Sequence, residues 1–144
     1  MRVNNEVIHD FLDAVVNALR ATVGIEAVVA TIGEVAARPP PTIGVMLQIV
    51  GDIRGPVTWV FPPTVALELV RRLLADPDPD PDSANDGATE LANILTGQAT
   101  VALEAGGFRC EMGPPCIHLG QLPAGIAARL TTPEGPIDVV LSLA

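Results

Sequence analysis

The residues best suited to chemistry lie in one stretch, DGATELANILTGQATVALEAGG, from Asp86 to Gly107. With a helical advance of about 100° per residue, Leu91, Leu95, Ala99 and Ala102 share one side. Asp86, Glu90, Asn93 and Gly97 then fall within an arc of roughly 60° on the opposite side, and Thr100 and Glu104 continue its edge. Two carboxylates, an amide and a glycine on one helical face form a surface for another molecule. Asp86 and Glu90 stand near the helix N-terminus, where the dipole favours the ionised form. Ionised acids there suit a cationic Lys or Arg on a partner. They suit general-base work less well, because base strength falls as the anion is stabilised. The Asn93 amide offers a donor and an acceptor without charge, so it can hold a water beside phosphate oxygens without repelling them.

Gly97 and Asn93 are unusual occupants of such a face. A mid-helix glycine costs about 1 kcal/mol relative to alanine. That cost makes sense where another backbone approaches closely. Asparagine is a poor helix former, and a generic solvated face more often carries Lys, Arg or Glu. The plainer reading is a soluble helix face with a capping acid, because a Glu-x-x-Asn spacing alone is a weak motif.

The rest of the chain must position this helix, predicted from Ser83 or Asp86 to Ala105 and closed by Gly106-Gly107. Residues 5–22 place Val7, Ile8, Phe11, Leu12, Val15, Val16 and Leu19 at helical spacing, with Asn4 or Asn5 as cap and Gly24 beyond the end. Strand-like runs follow at Ile25–Ile32, Thr42–Val50 and Pro56–Phe61, the last two joined by GDIRG as a hairpin connection. The stretch from Arg38 to Pro41 lacks ladder donors and reads as a loop. A second helix covers residues 63–75. The PDPDPD run at residues 77–82 reads as an extended, solvated linker within one domain. After the long helix come a short strand around Phe108–Met112 and a short segment at Cys116–Leu119, then a hairpin of Gly125–Thr131 and Pro136–Leu143. The order, read as helix, three strands, two helices and three strands, suggests duplicated halves. The class is α+β with a largely antiparallel sheet, since hairpins join most neighbouring strands.

Composition narrows the partners. The chain has 144 residues, one domain's length, with a formal charge of −9 and only eight basic residues, all Arg. A chain this acidic repels a phosphate backbone, and aromatics at 3% supply no base-stacking platform, so nucleic acid is an unsuitable partner. An acidic protein suits a partner with a basic patch or bound cation. No apolar run is long enough for a membrane span. Acids at Glu6, Asp10 and Asp13 interrupt the opening apolar stretch, unlike a secretory signal, so the expected compartment is the cytoplasm. There Cys110 and Cys116 are expected as free thiols.

The spacing Asp86-x3-Glu90-x2-Asn93, followed about twenty residues later by proline, resembles the CheC/CheX/FliY family of chemotaxis phosphatases. ELANILTG and PPCIHLG are similar to that family's active helix and the strand behind it, and the opening NNEVIHDFLDAVVNALRATVGIEA is similar to the start of CheX. A single Glu-x-x-Asn fits the CheX-like members; Glu6-x2-His9 on the first helix is not read as a second site. The proline here is Pro114 or Pro115, slightly earlier than the family pattern, and the PDPDPD linker departs from it.

The resemblance implies a CheC-like fold with two long helices on the sheet, over a single domain of residues 1–144. It implies hydrolysis of the aspartyl phosphate on a CheY-like receiver domain, with Asn93 orienting the attacking water and Glu90 pairing with the partner's active-site Lys. Asp86, Gly97 and Thr100 would contact that partner. The chain needs no cofactor of its own on this reading, because Mg²⁺ sits in the phosphorylated receiver. Catalysis would then be positioning and charge stabilisation, worth about 3–4 kcal/mol from placing a water well. A non-catalytic docking module for a receiver domain or flagellar-switch component would use the same helix, but it would not need the Asn93 amide. The resemblance also implies a homodimer, for which Pro136–Leu143 offers an apolar strand that could join a second copy at a sheet edge.

Other constellations are weaker. Cys110, Cys116 and His118 match no common zinc spacing and lack a fourth ligand. Ser83 and Ser142 have no nucleophile-elbow context.

Overall fold

The computed structural model describes residues 4–38, 44–80, 83–118 and 121–144. The first helix, α1 (Asn5–Val23), starts where the Asn4 side chain accepts from the Val7 amide at 2.9 Å. It stops at Gly24, whose φ of 67° is left-handed. The Ile25 amide returns to the Leu19 carbonyl, so Ile25 belongs to the helix end. The strand expected from Ile25 therefore begins later, as β1 (Val28–Val35).

Strands β2 (Gly44–Gly51) and β3 (Gly55–Val60) form the expected hairpin. Helix α2 (Pro63–Leu74) has a proline in its first turn, where no amide partner is needed, and Arg71 and Arg72 in its last. Residues 77–80 form no helix or strand and lead into α3 (Ser83–Ala105), whose first amide bonds back to Asp80. Four strands follow rather than three: β4 (Cys110–Met112), β5 (Cys116–His118), β6 (Gly125–Thr132) and β7 (Gly135–Leu141). The expectations for residues 39–43, 81–82 and 119 lie outside the described residues.

All seven strands join one sheet in the order β1-β6-β7-β3-β2-β4, with β5 also on β2, and every pairing is antiparallel. The order is symmetric about the central β3–β7 pair. Each half supplies one hairpin, β2–β3 or β6–β7, and sends its first strand to the other half's hairpin. Thus β1 pairs β6, while β4 and β5 pair β2.

This topology corrects one expectation. The strand at Pro136–Leu143 is not an edge: β7 is held by β6 on one side and β3 on the other. Its backbone groups are satisfied within its own sheet, so it is no template for a second copy. Its apolar alternation comes from central burial. The long edge strand is β1. The opposite edge is broken between β4 and β5 by Gly113-Pro114-Pro115, and prolines there blunt pairing.

Helices α1, α2 and α3 contribute one face to a shared core with the inward residues of the sheet. Val45, Leu47 and Ile49 of β2, Val57 and Trp59 of β3, and Ile137, Val139 and Leu141 of β7 all point into it. That alternation follows from the two-residue strand period. The buried core is aliphatic apart from Phe11, Trp59, Phe61 and Cys110, as the composition requires.

Candidate functional site

Helix α3 is held along most of its length by α1, α2 and the sheet. Leu91, Leu95 and Ala99 are fully buried against the core. Near its start, Gly87 lies so close to Val70 of α2 that a methyl group there would overlap the valine side chain. Farther along, Gly106-Gly107 ends the helix, and β4 runs back beside it, bringing Met112 to within 3.7 Å of where a Gly97 Cβ would sit.

A further tie comes from beneath. The Trp59 indole N–H of central strand β3 donates to the Thr96 hydroxyl of α3 at 2.9 Å, with both residues fully buried. Tryptophan in a core is stable when its N–H finds such a partner. Neither Gly87, Trp59 nor Thr96 was marked by sequence reasoning as serving this helix. The signal for Gly87 was a glycine facing the neighbouring helix; the pairing of Trp59 with Thr96 spans 37 residues and leaves no local trace.

On the outer side of α3, Asp86 and Glu90 are exposed, and Asn93 and Gly97 are half-buried. Residues three apart on a helix lie about 5–6 Å apart at Cβ, which makes Glu90 and Asn93 neighbours on that surface. Four of the five residues singled out therefore reach the surface together. Thr100 does not. It is 9% exposed and its hydroxyl donates to the Gly97 carbonyl at 2.7 Å. The cause is β4, whose Cys110 packs against the Thr100 carbonyl and covers that flank. Thr100 is thus corrected from a contact residue to part of the buried flank of α3.

Pro114 and Pro115, the prolines expected behind the active helix, lie in the turn between β4 and β5. The Gly113 amide fixes that turn by donating to the Gln48 carbonyl at 2.8 Å. Beside α3, α1 runs with its start near the other helix's end, since Asp10 approaches Gly106. Asp10, Asp13 and Asn17 of α1 face Gln98 and Val101 of α3 across a shallow groove. Asp10 and Asp13 make the α1 side of that groove acidic.

No group of three or more potential metal-ligating side chains is found among the described residues. Cys110 is buried and Cys116 exposed, on separate strands. Burial, and then the charges of Glu104 and Asp52, push the Cys110 thiol up, which makes it a poor nucleophile. The described residues of the outer α3 face therefore offer hydrogen bonding from Asn93 and charge from Asp86 and Glu90.

The family description "Chemotaxis phosphatase CheX" matches residues 43–131. The chain is a member of the CheX family. No curated protein sequence matches it significantly. Solved structures match this CheX-family chain over nearly its whole length and agree in fold. A chemotaxis protein CheX from Desulfovibrio desulfuricans superposes with a TM-score of 0.79 at 22% identity, covering 96% of this chain and 98% of that one. A putative chemotaxis protein from Desulfovibrio vulgaris Hildenborough gives 0.81 at 22% identity, covering 99% and 100%. The CheX of a CheX–CheY–BeF3–Mg²⁺ complex from Borrelia burgdorferi gives 0.75 at 20% identity, covering 99% of each chain. The expected CheC-like α+β fold is thereby established. No helix among the described residues is long and apolar enough to cross a membrane.

Proposed function

We propose that this CheX-family chain hydrolyses the aspartyl phosphate of a CheY-like response regulator, with Glu90 and Asn93 as the working pair. The observation that carries the reading is their placement: adjacent on the outward side of α3, whose opposite side is locked into the core. The similar CheX from Borrelia burgdorferi forms a complex with CheY, BeF3 and Mg²⁺, which supports a receiver domain as partner.

In the proposed reaction the partner holds Mg²⁺ and the phosphoryl group. The exposed Glu90 carboxylate pairs with the partner's active-site Lys and sets the register. Asn93 enters the partner's site, where its amide holds a water in line with the scissile P–O bond. Water attacks phosphorus, the bond to the aspartate oxygen breaks, and aspartate and inorganic phosphate are released. Phosphoryl transfer of this type depends on positioning and charge stabilisation, which an amide and a carboxylate on one face can supply.

The test is to mix the protein with phosphorylated receiver domains and Mg²⁺ and follow phosphate release. Asn93→Ala should lower kcat by about 10²-fold while binding persists, because the rest of the face survives and only the water is misplaced. Glu90→Lys should instead weaken affinity for a phosphorylated-state mimic by placing like charges together. Wild-type turnover in Asn93→Ala would refute the assigned mechanism. Binding without hydrolysis by the wild-type protein, over all receivers tried, would leave a docking module.

A further inference from the structure

The Trp59–Thr96 hydrogen bond joins the centre of the sheet to the helix that carries Glu90 and Asn93. We propose that Thr96 is a positioning residue for the phosphatase reaction: as acceptor for Trp59, it fixes the rotation of α3 on the sheet and so aims Asn93. This inference rests on the reading of Asn93 given above.

The geometry makes rotation the sensitive variable. Thr96 follows Asn93 by three residues, so the two side chains occupy adjacent rows of the helix. Leu91, Leu95 and Ala99 press α3 on the core and Gly87 meets Val70 near its start, but none of these apolar contacts is a directional bond close to Asn93. A hydrogen bond is directional and weakens steeply as its angle closes. The indole ring cannot follow a turning helix freely. Trp59 is fully buried, its backbone is paired to Val45 and Val139, and its ring stacks on Phe61 at a centroid distance of 6.1 Å.

Side-chain ends lie about 5–6 Å from a helix axis, so a rotation of about 10° moves Asn93 by about 1 Å. A displacement of about 1 Å can cost about 10²-fold in a reaction that depends on alignment. Removing the Thr96 oxygen leaves a buried N–H without its partner, and that cost favours a shifted α3 in which the indole finds another. Binding through Glu90 tolerates such a shift better, because a flexible exposed carboxylate can still reach a Lys.

The experiment compares Thr96→Val, which keeps the shape and removes the acceptor, with Thr96→Ser, which keeps the hydroxyl. The substrate is a receiver domain that the wild-type protein dephosphorylates. Thr96→Val should lower kcat by about 10-fold or more with KM changed by less than about twofold. Thr96→Ser should hold kcat within about threefold of wild type. The emission of Trp59, the one tryptophan in the sequence, checks that its ring stays buried. If Thr96→Val does not fold, Trp59→Phe removes the donor from the same pair and carries the same expectation.

Wild-type kcat in either folded acceptor- or donor-deleted variant overturns the inference, as does a kcat loss that Thr96→Ser shares. These outcomes concern differences among variants that act on a working substrate. Failure of the wild-type protein to hydrolyse any receiver would instead remove the function on which the inference rests.

Discussion

Gly97 has space around it that its own chain does not use. Among the described residues, a Cβ at this position would meet only the Met112 methyl group, at an ordinary 3.7 Å, so their packing does not exclude a side chain there. Glycine in mid-helix nevertheless costs up to about 1 kcal/mol. On the function proposed above, that cost is the close approach of a partner. Gly97→Leu should therefore melt no lower than the wild-type protein, yet turn over a phosphorylated receiver poorly, by about 10-fold or more in kcat/KM. Thermal unfolding and phosphate release measured on the same preparation separate the two effects. Unchanged turnover would remove Gly97 from the contact surface. Asn93 and Glu90 stand on the same strip, so residue-scale function here is a matter of which small or polar side chains reach past the helix.

At the scale of elements, α3 is useful only if it is held still, and Gly87 shows how its first turns are held. There α2 and α3 meet so closely that an added methyl group would overlap Val70, a branched and stiff side chain. Helix propensity alone favours Gly87→Ala by about 1 kcal/mol. Overpacking a buried contact costs about 1–3 kcal/mol. Overpacking should win, because the overlap reaches the Val70 branch point, which no rotamer change can move away. Urea unfolding should place the Gly87→Ala midpoint below wild type with an unchanged slope. A higher midpoint would show that the two helices separate at little cost. Gly87 and Gly97 are one helix's two interior glycines with opposite roles: one admits the protein's own neighbour, the other leaves space outside.

For the whole molecule, a charged cluster ties the end of the sheet hairpin to two helices. Glu68 of α2 binds Arg71 and Arg72, and Arg72 reaches Glu134 at 3.0 Å in the β6–β7 turn and the Val23 carbonyl at 3.3 Å at the end of α1. Hydrogen bonds from Arg71, then from Arg72, lower the Glu68 carboxyl from 4.5 to about 2. A depressed folded-state value means that the unfolded chain takes up this proton first as pH falls. The stabilisation is fully present above about 4.5 and is lost as pH falls towards about 2. Glu68→Gln should thus melt below wild type at neutral pH, and the two melting temperatures should converge as pH drops through that window. A constant gap down to pH about 2 would show that Glu68 contributes packing rather than charge.

The local elements and most of the candidate face were legible in the residues alone. Helical period is a property of neighbouring residues, so Asp86, Glu90, Asn93 and Gly97 could be placed on one side of α3 and Leu91, Leu95 and Ala99 on the other before any contact was known. Caps and turns are local too: the structure chooses Asn4 from the two candidate caps, and Gly24 and the GDIRG hairpin stand as read. Tertiary structure decided what covers each element. Thr100 lies near the polar arc by angle, yet β4 returns over its flank and buries it. The strand at residues 135–141 has the same apolar alternation at an edge as at a centre, and only its pairing with both β3 and β6 makes it central. The partners of β1, with Val28 opposite Thr131, and of Trp59 lie far off in the chain, where periodicity carries no information. Their positions follow from how the whole chain closes its sheet and buries its helices together.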